Sequence, residues 1–221
     1  MVYTCGLNSV GGREGFELHG TYHTIPAEVI RTQCDEQGIV VEALIRNTAL
    51  FGQNLVMHRT ITSAIGADSV QIEDKLTNLG YKDESYCLLY HTNIGYPMLD
   101  EGTKVILDEL DCTPRTEWSR QNIDTHLTVE QPIDNSEETC YFVTVGKPEV
   151  SVANPKLGKK FTISYSKDTL PYFVEWKSMV SGDYALGLEP ATTSLDDGFA
   201  YRTIAKQETI TFTLKLSVTE L

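Results

Sequence analysis

Three short stretches of the sequence place titratable side chains where a strand-like segment meets a turn. LHGTYHTIPAE contains His19, YHTNIGYP contains His91 and Asn93, and LGLEPATT contains Glu189 directly before a proline. Proline cannot donate to a β-ladder, so the strand should stop there and leave the Glu189 carboxylate at the rim of a sheet. A carboxylate and an imidazole can act as general base and general acid, each contributing roughly 10²–10⁴-fold in rate. These residues predict acid–base chemistry at a sheet rim.

Other catalytic chemistries have weaker support in the sequence. The five histidines form no HxH or HExxH motif, so we expect no metal site and no cofactor. The sequence contains no GxSxG segment and no cysteine with an obvious histidine neighbour, which argues against covalent catalysis. His58 and His126 lie outside the polar clusters, and we interpret both as structural hydrogen-bonding residues.

The elements that must position these residues are strands. In TITFTLKLSV (209–218) apolar and polar residues alternate, which is typical of a strand with one buried side. About a dozen such segments, with turns between them, predict an all-β fold, a large antiparallel β-sandwich forming one domain over residues 1–221. Residues 101–122 and 192–207 lack alternation, so we expect loops with a helical turn there. The other β-rich segments are 39–45, 54–62, 70–73, 85–91, 123–129, 139–145, 160–165, 172–177 and 184–189.

The charge of the chain limits its partners. Thirty-one acidic and 18 basic residues give a formal net charge of −13. Such a field repels phosphate backbones and anionic lipids, so we expect neither a nucleic-acid nor a membrane partner. Five scattered cysteines without a CxxC pair, and the lack of a signal-peptide pattern or a long apolar run, predict a cytoplasmic protein.

Four longer motifs follow one another along the chain. They are TCGL (4–7) with VG (10–11), LHG (18–20) with PAE (26–28), YHTNIGYPML (90–99) and EWKSMVSGDYALGLEPAT (175–192). In this combination they resemble motifs of the galactose mutarotase (aldose 1-epimerase) superfamily, and most closely its uncharacterised branch, the domain of unknown function 4432. The resemblance covers nearly the whole chain. Each motif alone has little specificity, whereas the four in order are fairly specific.

This resemblance implies a mutarotase-like β-sandwich that binds a small sugar and interconverts its anomers by ring opening, as an aldose 1-epimerase-like isomerase without a cofactor. In the superfamily a glutamate takes the proton of the anomeric hydroxyl, and a histidine protonates the ring oxygen. Carried over by motif, Glu189 is the base, His91 is the acid and His19 binds sugar hydroxyls. Flanking residues that would line the pocket are Asn93, Arg59, Trp176 and Lys177.

The sequence departs from the superfamily pattern near its start. An arginine expected before the TCGL segment has no counterpart, so we expect an N-terminally shortened sandwich in which Arg13 or Arg59 replaces that arginine. The sugar-binding aspartate of the superfamily has no clear match. The candidates for it are Asp108, Asp111 and Asp124. A sandwich without its first strands exposes a sheet edge, which favours a homodimer.

Two alternative functions follow from the same residues. The first is a non-catalytic carbohydrate-binding protein that retains the sandwich. The missing upstream arginine favours this alternative, whereas the combination of His91 and Glu189 favours the enzyme. The second is a polysaccharide lyase-type enzyme, for which Asn93 together with Tyr96 or Arg59 is a narrow basis.

Overall fold

The computed structural model describes residues 1–12, 15–196 and 200–221 of the chain. Strands dominate this part of the chain, and they are accompanied by one short α-helix and two 3₁₀ turns. The strands are β1 (Val2–Leu7), β2 (Glu28–Asp35), β3 (Gly38–Thr48), β4 (Asn54–Ser63), β5 (Ser69–Asn78), β6 (Glu84–Ile94), β7 (Lys104–Pro114), β8 (Thr139–Asn154), β9 (Lys159–Tyr165), β10 (Tyr172–Ser178), β11 (Ala185–Ala191), β12 (Arg202–Ile204) and β13 (Thr209–Glu220), and the helix is α1 (Glu117–Gln121). The predicted all-β class is confirmed. No helix among the described residues is long and apolar enough to cross a membrane.

The described strands form one hydrogen-bonded sheet whose strand pairings are antiparallel. Along its main path the order is β1-β6-β11-β10-β8-β9-β13-β5-β4-β3-β2. Two further strands extend this path, because β12 pairs with β6 and β7 pairs with β8. Strands that are distant in the chain therefore become neighbours, and this is how the candidate catalytic residues come together.

The sheet folds over itself into two layers, and β8 passes from one layer to the other. Residues 139–143 of β8 pair with β10, whereas residues 149–154 pair with β9. The Tyr90 hydroxyl on β6 donates to Asp74 Oδ2 on β5 at 2.6 Å, although these two strands lie far apart in the sheet order. Such contacts between distant strands place two layers face to face, as in the predicted β-sandwich.

Strand β13 shows how the sequence pattern builds this core. Phe212 and Leu214 are almost completely buried, whereas Thr209 and Lys215 are exposed. The alternation predicted for residues 209–218 is therefore present, with the apolar side facing the interior between the layers. Burial of one such large apolar side chain contributes about 1.5–3 kcal/mol relative to leaving it exposed.

Three expectations about local structure are wrong in part. Strand β11 continues through Pro190 to Ala191, so Glu189 lies within a strand and not at the rim of the sheet. Residues 104–114 form the eleven-residue strand β7, where we expected a loop, although the expected helical turn is present as α1. Two register shifts along the pairing of β7 with β8 interrupt the period of two and hide the strand in the sequence. Residues 123–129, expected as a strand, instead begin with a 3₁₀ turn over Ile123–Thr125.

Two further strands were not predicted from the sequence, because few of their side chains are buried. Strand β2 lies at one end of the sheet order, and its residues are almost all exposed, so it lacks an alternating apolar side. Strand β12 falls within 192–207, where a loop was expected, and is only three residues long. Short or exposed strands of this kind are common at sheet edges, where hydrogen bonding rather than burial defines them.

Candidate active site

Five adjacent strands present one continuous surface on the side of the sheet that faces away from the core. These strands are β1, β6, β11, β10 and β8. The register places Tyr3 opposite His91, Val174 opposite Glu189, and Trp176 opposite Cys140. Residues that lie directly opposite each other on paired strands project from the same face of the sheet, so the two members of each of these pairs share a face.

A cavity of about 350 Å³ lies on this surface. Its floor is apolar and includes Leu89, Cys140 and Val174. The loop residues Leu18 and Leu195 add apolar wall. The volume lies at the lower end of the range of about 300–1,000 Å³ found for small-molecule pockets. An apolar floor with a few polar groups is the usual composition of such a pocket.

His91 and Glu189 meet within this cavity. The Nε2 atom of His91 lies 3.0 Å from Oε1 of Glu189, and both side chains line the cavity. Their residues are only 8% and 3% exposed. Glu189 Oε1 has no hydrogen-bond partner of good geometry among the described residues, so its contact with His91 Nε2 is close but is not an aligned hydrogen bond. The other ring nitrogen of His91, Nδ1, also has no partner among these residues. The two groups therefore keep capacity for a ligand.

Burial sets the protonation behaviour of the carboxyl group. It raises the pKa of Glu189 above its ordinary value, and the nearby His91 and Arg115 offset only part of this effect. A carboxylate with a raised pKa binds a proton more strongly than a solvent-exposed one. Glu189 is therefore a better general base than an ordinary glutamate, because Brønsted behaviour favours a pKa closer to the working pH.

Because Gly187 has no side chain, it leaves room for the side chains of Glu189 and His91. A Cβ atom added to Gly187 would lie 2.4 Å from Glu189 Oε1 and 2.8 Å from His91 Cε1. Both distances are shorter than real Cβ contacts, so any side chain at this position would displace Glu189 and His91. The glycine in the segment LGLEP therefore has a steric role directly beneath the two reactive groups.

His19 lines the same cavity beside the pair. Its ring lies 5.4 Å from the ring of His91 in an edge-on arrangement. Burial first, and then the charge of His91, lower the pKa of His19 to about 4. His19 is therefore neutral at physiological pH, so it offers one donor and one acceptor nitrogen to a polar ligand.

The backbone holds His19 in an uncommon conformation. Its φ is 69°, in the left-handed region that costs a residue with a side chain about 1–3 kcal/mol. The His19 amide donates to the Val10 carbonyl at 3.0 Å, and its carbonyl accepts from the Gly6 amide at 3.0 Å. These two hydrogen bonds fix the turn that directs the ring toward the cavity.

Trp176 and Asn93 also line the cavity. The indole ring of Trp176 lies 5.6 Å from the ring of His91, and its Nε1 donates to Glu138 Oε2 at 2.8 Å. The aromatic ring is a candidate platform for an apolar ligand face, and Glu138 holds that ring in place. Of the site residues predicted from the sequence, the structure brings together Glu189, His91, His19, Asn93 and Trp176.

Arg59 does not line this cavity, contrary to expectation. It lies between the two layers, where Nε and one terminal nitrogen donate to Asp74 at 2.8 and 2.6 Å. The same terminal nitrogen donates to Thr4 Oγ1 at 2.9 Å. Asp74 is fully buried and also accepts from Tyr90, so Arg59 serves a structural ion pair in the core.

Lys177 is likewise a structural residue outside the cavity. It follows Trp176 on β10 and so projects from the opposite face. Its ammonium group donates to backbone carbonyls of residues 125, 126 and 128 at 2.9–3.2 Å and lies 3.4 Å from Glu130. The candidate aspartates are also absent from the cavity lining, and Arg13 lies outside the described residues. These aspartates are Asp108, Asp111 and Asp124.

Two charged residues of the cavity were not predicted from the sequence, Arg115 and Glu138. Arg115 lines the cavity and donates to both carboxylate oxygens of Asp196, at 2.6 and 2.9 Å. It follows β7, in a segment expected to be a loop, and carries no motif that marks it. Arg115, rather than Arg59, is the arginine that shares the cavity with Glu189, and its charge lowers the pKa of Glu189.

Comparison with known proteins agrees with this architecture. The model of the family described as Domain of unknown function (DUF4432) matches residues 1–218. The chain belongs to this family. The match confirms the family expected from the motifs. A search of curated proteins finds no match to this DUF4432 chain.

Solved structures share the fold of this DUF4432 protein at low sequence identity. A Klebsiella pneumoniae protein, provisionally assigned as an aldose 1-epimerase, superposes with a TM-score of 0.89 at 20% identity over all of this chain. The chain spans 63% of the length of that protein. A galactose mutarotase-like protein from Lactobacillus casei has a TM-score of 0.67 at 13% identity, covering 99% of this chain and 84% of its own. At such identities these likenesses establish the mutarotase-like sandwich fold.

Proposed function

We propose that this DUF4432 protein is a sugar mutarotase that interconverts the anomers of a free aldose or a modified sugar by general acid–base catalysis. The observation that carries the proposal is the contact between His91 and Glu189 at the base of an open cavity. Mutarotation needs two proton transfers on an uncharged substrate, and one carboxylate with one imidazole can supply both.

In the proposed reaction Glu189, ionised, takes the proton of the anomeric hydroxyl. The bond between the anomeric carbon and the ring oxygen breaks, and protonated His91 gives its proton to that oxygen. The open-chain aldehyde rotates about its carbon–carbon bond, and ring closure returns both protons to their original groups. The two oxygens are bonded to the same carbon, so an acid and a base only a few ångströms apart can serve both.

The remaining cavity residues support binding rather than proton transfer. Neutral His19 and the Asn93 amide can hydrogen-bond to sugar hydroxyls. The Trp176 ring can pack on the apolar face of a pyranose. Arg115 stabilises the ionised form of Glu189 through its charge, although Asp196 neutralises much of that charge.

A non-catalytic sugar-binding protein is the second candidate. The direct contact between His91 and Glu189 favours it in one respect, because two side chains that are already in contact must separate before both can act on a substrate. We place either activity in the cytoplasm, in keeping with an odd number of scattered cysteines, and with a small sugar as the partner.

Polarimetry on freshly dissolved α-anomers of several aldoses tests the proposal. We expect the wild-type protein to accelerate equilibration of at least one aldose, and the Glu189→Gln variant to lose that acceleration. The matched control is the His58–Glu42 pair, which has a similar contact of 3.2 Å outside the cavity. Glu42→Gln should retain wild-type activity. If no aldose equilibrates faster than in buffer while sugars still raise the melting temperature, the binding function replaces the enzyme.

A further inference from the structure

A second cluster of ionisable side chains lies on the opposite face of β10. Trp176 lines the sugar cavity, whereas the preceding residue, Glu175, lies on the other face against His126. The Nδ1 atom of His126 is 3.0 Å from Glu175 Oε2, and its Nε2 atom is 3.2 Å from Glu109 Oε2. Cys112 completes the group, because one ligand atom each from Glu109, Cys112 and His126 lies within 4.8 Å of the others.

A β-bulge brings two of these residues to the same side of β7. Residues three apart on a regular strand project from opposite faces. Here Glu109 pairs opposite Val145 and Cys112 opposite Val143, because the register shifts between Glu109 and Asp111. The partners on β8 are two apart, so Glu109 and Cys112 share a face. Bulges are frequent where a strand must redirect a functional side chain.

We propose that Glu109, Cys112 and His126 bind a zinc-like divalent transition-metal ion. Carboxylate oxygen, thiolate sulfur and imidazole nitrogen are the ligand types that zinc takes in proteins. Ligand atoms held at 2.0–2.3 Å around a tetrahedral ion stand about 3.4 Å from one another. The 3.2 Å between His126 Nε2 and Glu109 Oε2 is close to that spacing.

Glu175 has the position of a residue that orients a metal-bound histidine. A histidine that binds zinc through one ring nitrogen commonly donates its other N–H to a carboxylate, which fixes its tautomer. Glu175 Oε2 is placed to accept from Nδ1 of His126, which leaves Nε2 facing Glu109 and Cys112. We assign Glu175 as a positioning residue and not as a ligand.

Two buried polar atoms of this cluster have no hydrogen-bond partner among the described residues. Glu175 is fully buried, and its Oε1 has no hydrogen-bond partner in the described part of the chain. The Tyr141 hydroxyl is also buried without a partner, and its ring lies 5.1 Å from that of His126. The nearby ammonium of Lys177 is already engaged by backbone carbonyls. A buried carboxylate with too few partners is costly, and a bound dication offsets that cost.

Binding requires only proton release. The Cys112 thiol gives its proton to solvent and binds as the thiolate, and His126 binds through Nε2 while its Nδ1–H donates to Glu175. Three protein ligands leave a fourth tetrahedral position for water or another ligand. The side chain of Glu109 is 31% exposed, so the ion can enter from that side.

Equilibrium dialysis of the full chain against Zn²⁺, followed by elemental analysis, tests the site. We expect one ion per chain, and at least tenfold weaker binding by Glu109→Gln and by Cys112→Ser. The matched control is Cys34→Ser, because Cys34 is an exposed thiol on β2 away from the cluster. This control should bind Zn²⁺ as the wild type does. With Co²⁺ as probe, the thiolate charge-transfer absorption should persist in Cys34→Ser and vanish in Cys112→Ser.

Glu175→Gln distinguishes positioning from ligation. It should lower Zn²⁺ affinity by about 10- to 100-fold while one ion per chain still binds. Circular dichroism of each metal-free variant checks the fold, and if Cys112→Ser does not fold, the partly exposed Glu109→Gln decides alone. A wild-type chain that binds no Zn²⁺, or a folded Glu109→Gln variant with wild-type affinity, overturns the proposal.

Discussion

The Nε2 atom of His91 on β6 lies 3.0 Å from Oε1 of Glu189 on β11, although the two residues are far apart in the sequence. Their strands are neighbours in the sheet, with Leu188 paired opposite Thr92. The proposed acid and base are thus held together by backbone hydrogen bonds between strands rather than by a flexible loop. Such a rigid placement suits general acid–base catalysis, which depends on geometry before it depends on pKa.

The first prediction concerns the space beneath this pair. Gly187→Ala should reduce mutarotation by about 10- to 100-fold, because displacement of catalytic groups by about 1 Å can cost that much. The added Cβ would clash with both Glu189 and His91. Gly95→Ala is the control, since a Cβ at Gly95 meets nothing within 4 Å. Initial rates by polarimetry measure both, and equal rates for the two variants would show that Gly187 has no such role.

The second prediction concerns the pH dependence of stability at His19. The pKa of His19 is about 4 in the folded protein and about 6.5 in the unfolded chain. Between these values the unfolded chain binds more protons, so this residue lowers the free energy of unfolding as pH falls from 6.5 to 4. Because His19 is only partly buried, solvent screening keeps this loss below the value of about 3.4 kcal/mol that the full pKa difference would give. Denaturant unfolding of His19→Gln across this range should show a smaller loss than the wild type, and identical curves would contradict the assignment.

The third prediction concerns Arg59 as a structural residue. Asp74→Asn should destabilise the protein by about 3–5 kcal/mol, because it leaves the Arg59 guanidinium without its charge partner in the core. A Glu42→Gln variant, which removes a surface partner of Arg31, should unfold almost as the wild type does. Urea denaturation measures both. If Asp74→Asn instead abolishes sugar turnover at full stability, Arg59 belongs to the site after all.

The fourth prediction uses the two tryptophans of the chain, Trp118 and Trp176. Trp176 lines the cavity, whereas Trp118 lies on α1 with its Nε1 donating to the Glu137 carbonyl. In the Trp118→Phe variant, sugar titration should change the remaining fluorescence. In Trp176→Phe the same titration should leave the fluorescence unchanged and raise the sugar concentration needed for half-saturation of turnover. A response confined to Trp118 would place the sugar elsewhere.

Much of the fold could be predicted from the sequence because regular alternation survives wherever a strand has one buried side. Strand β13 is the clear case, with Phe212 and Leu214 inside and Lys215 outside. Strand β7 could not be predicted, because its bulges break the period of two. Exposed β2 offered no apolar side to detect.

The candidate site was likewise predictable only where sequence motifs mark its residues, and not where contacts depend on the order and register of the strands. His91 and Glu189 belong to motifs, so their place in one site could be predicted from the sequence, whereas their contact depends on the order of strands in the sheet. Arg59 was expected in the cavity only because it lies near the motifs. Its bidentate ion pair with Asp74, which lies opposite it on the neighbouring strand β5, depends on a strand register that the sequence does not show. Arg115 reaches the cavity from the end of β7, where no motif marks it.

The same limit applies to the proposed metal site. Glu109 and Cys112 share a face only because of a bulge, and His126 comes from a separate turn segment. No fixed spacing in the sequence connects the three residues, so a search for metal-binding motifs finds nothing. Only the folded chain shows that His126, interpreted from the sequence as structural, lies between two carboxylates.

The measurement that tests the central claim most directly is the rate of anomer equilibration for Glu189→Gln, His91→Gln and the double variant. Residues that act as a unit have non-additive effects on the rate. We predict that each single variant loses at least about 100-fold of the acceleration and that the double variant is no slower than the slower single one. Either single variant with the wild-type rate would contradict the account.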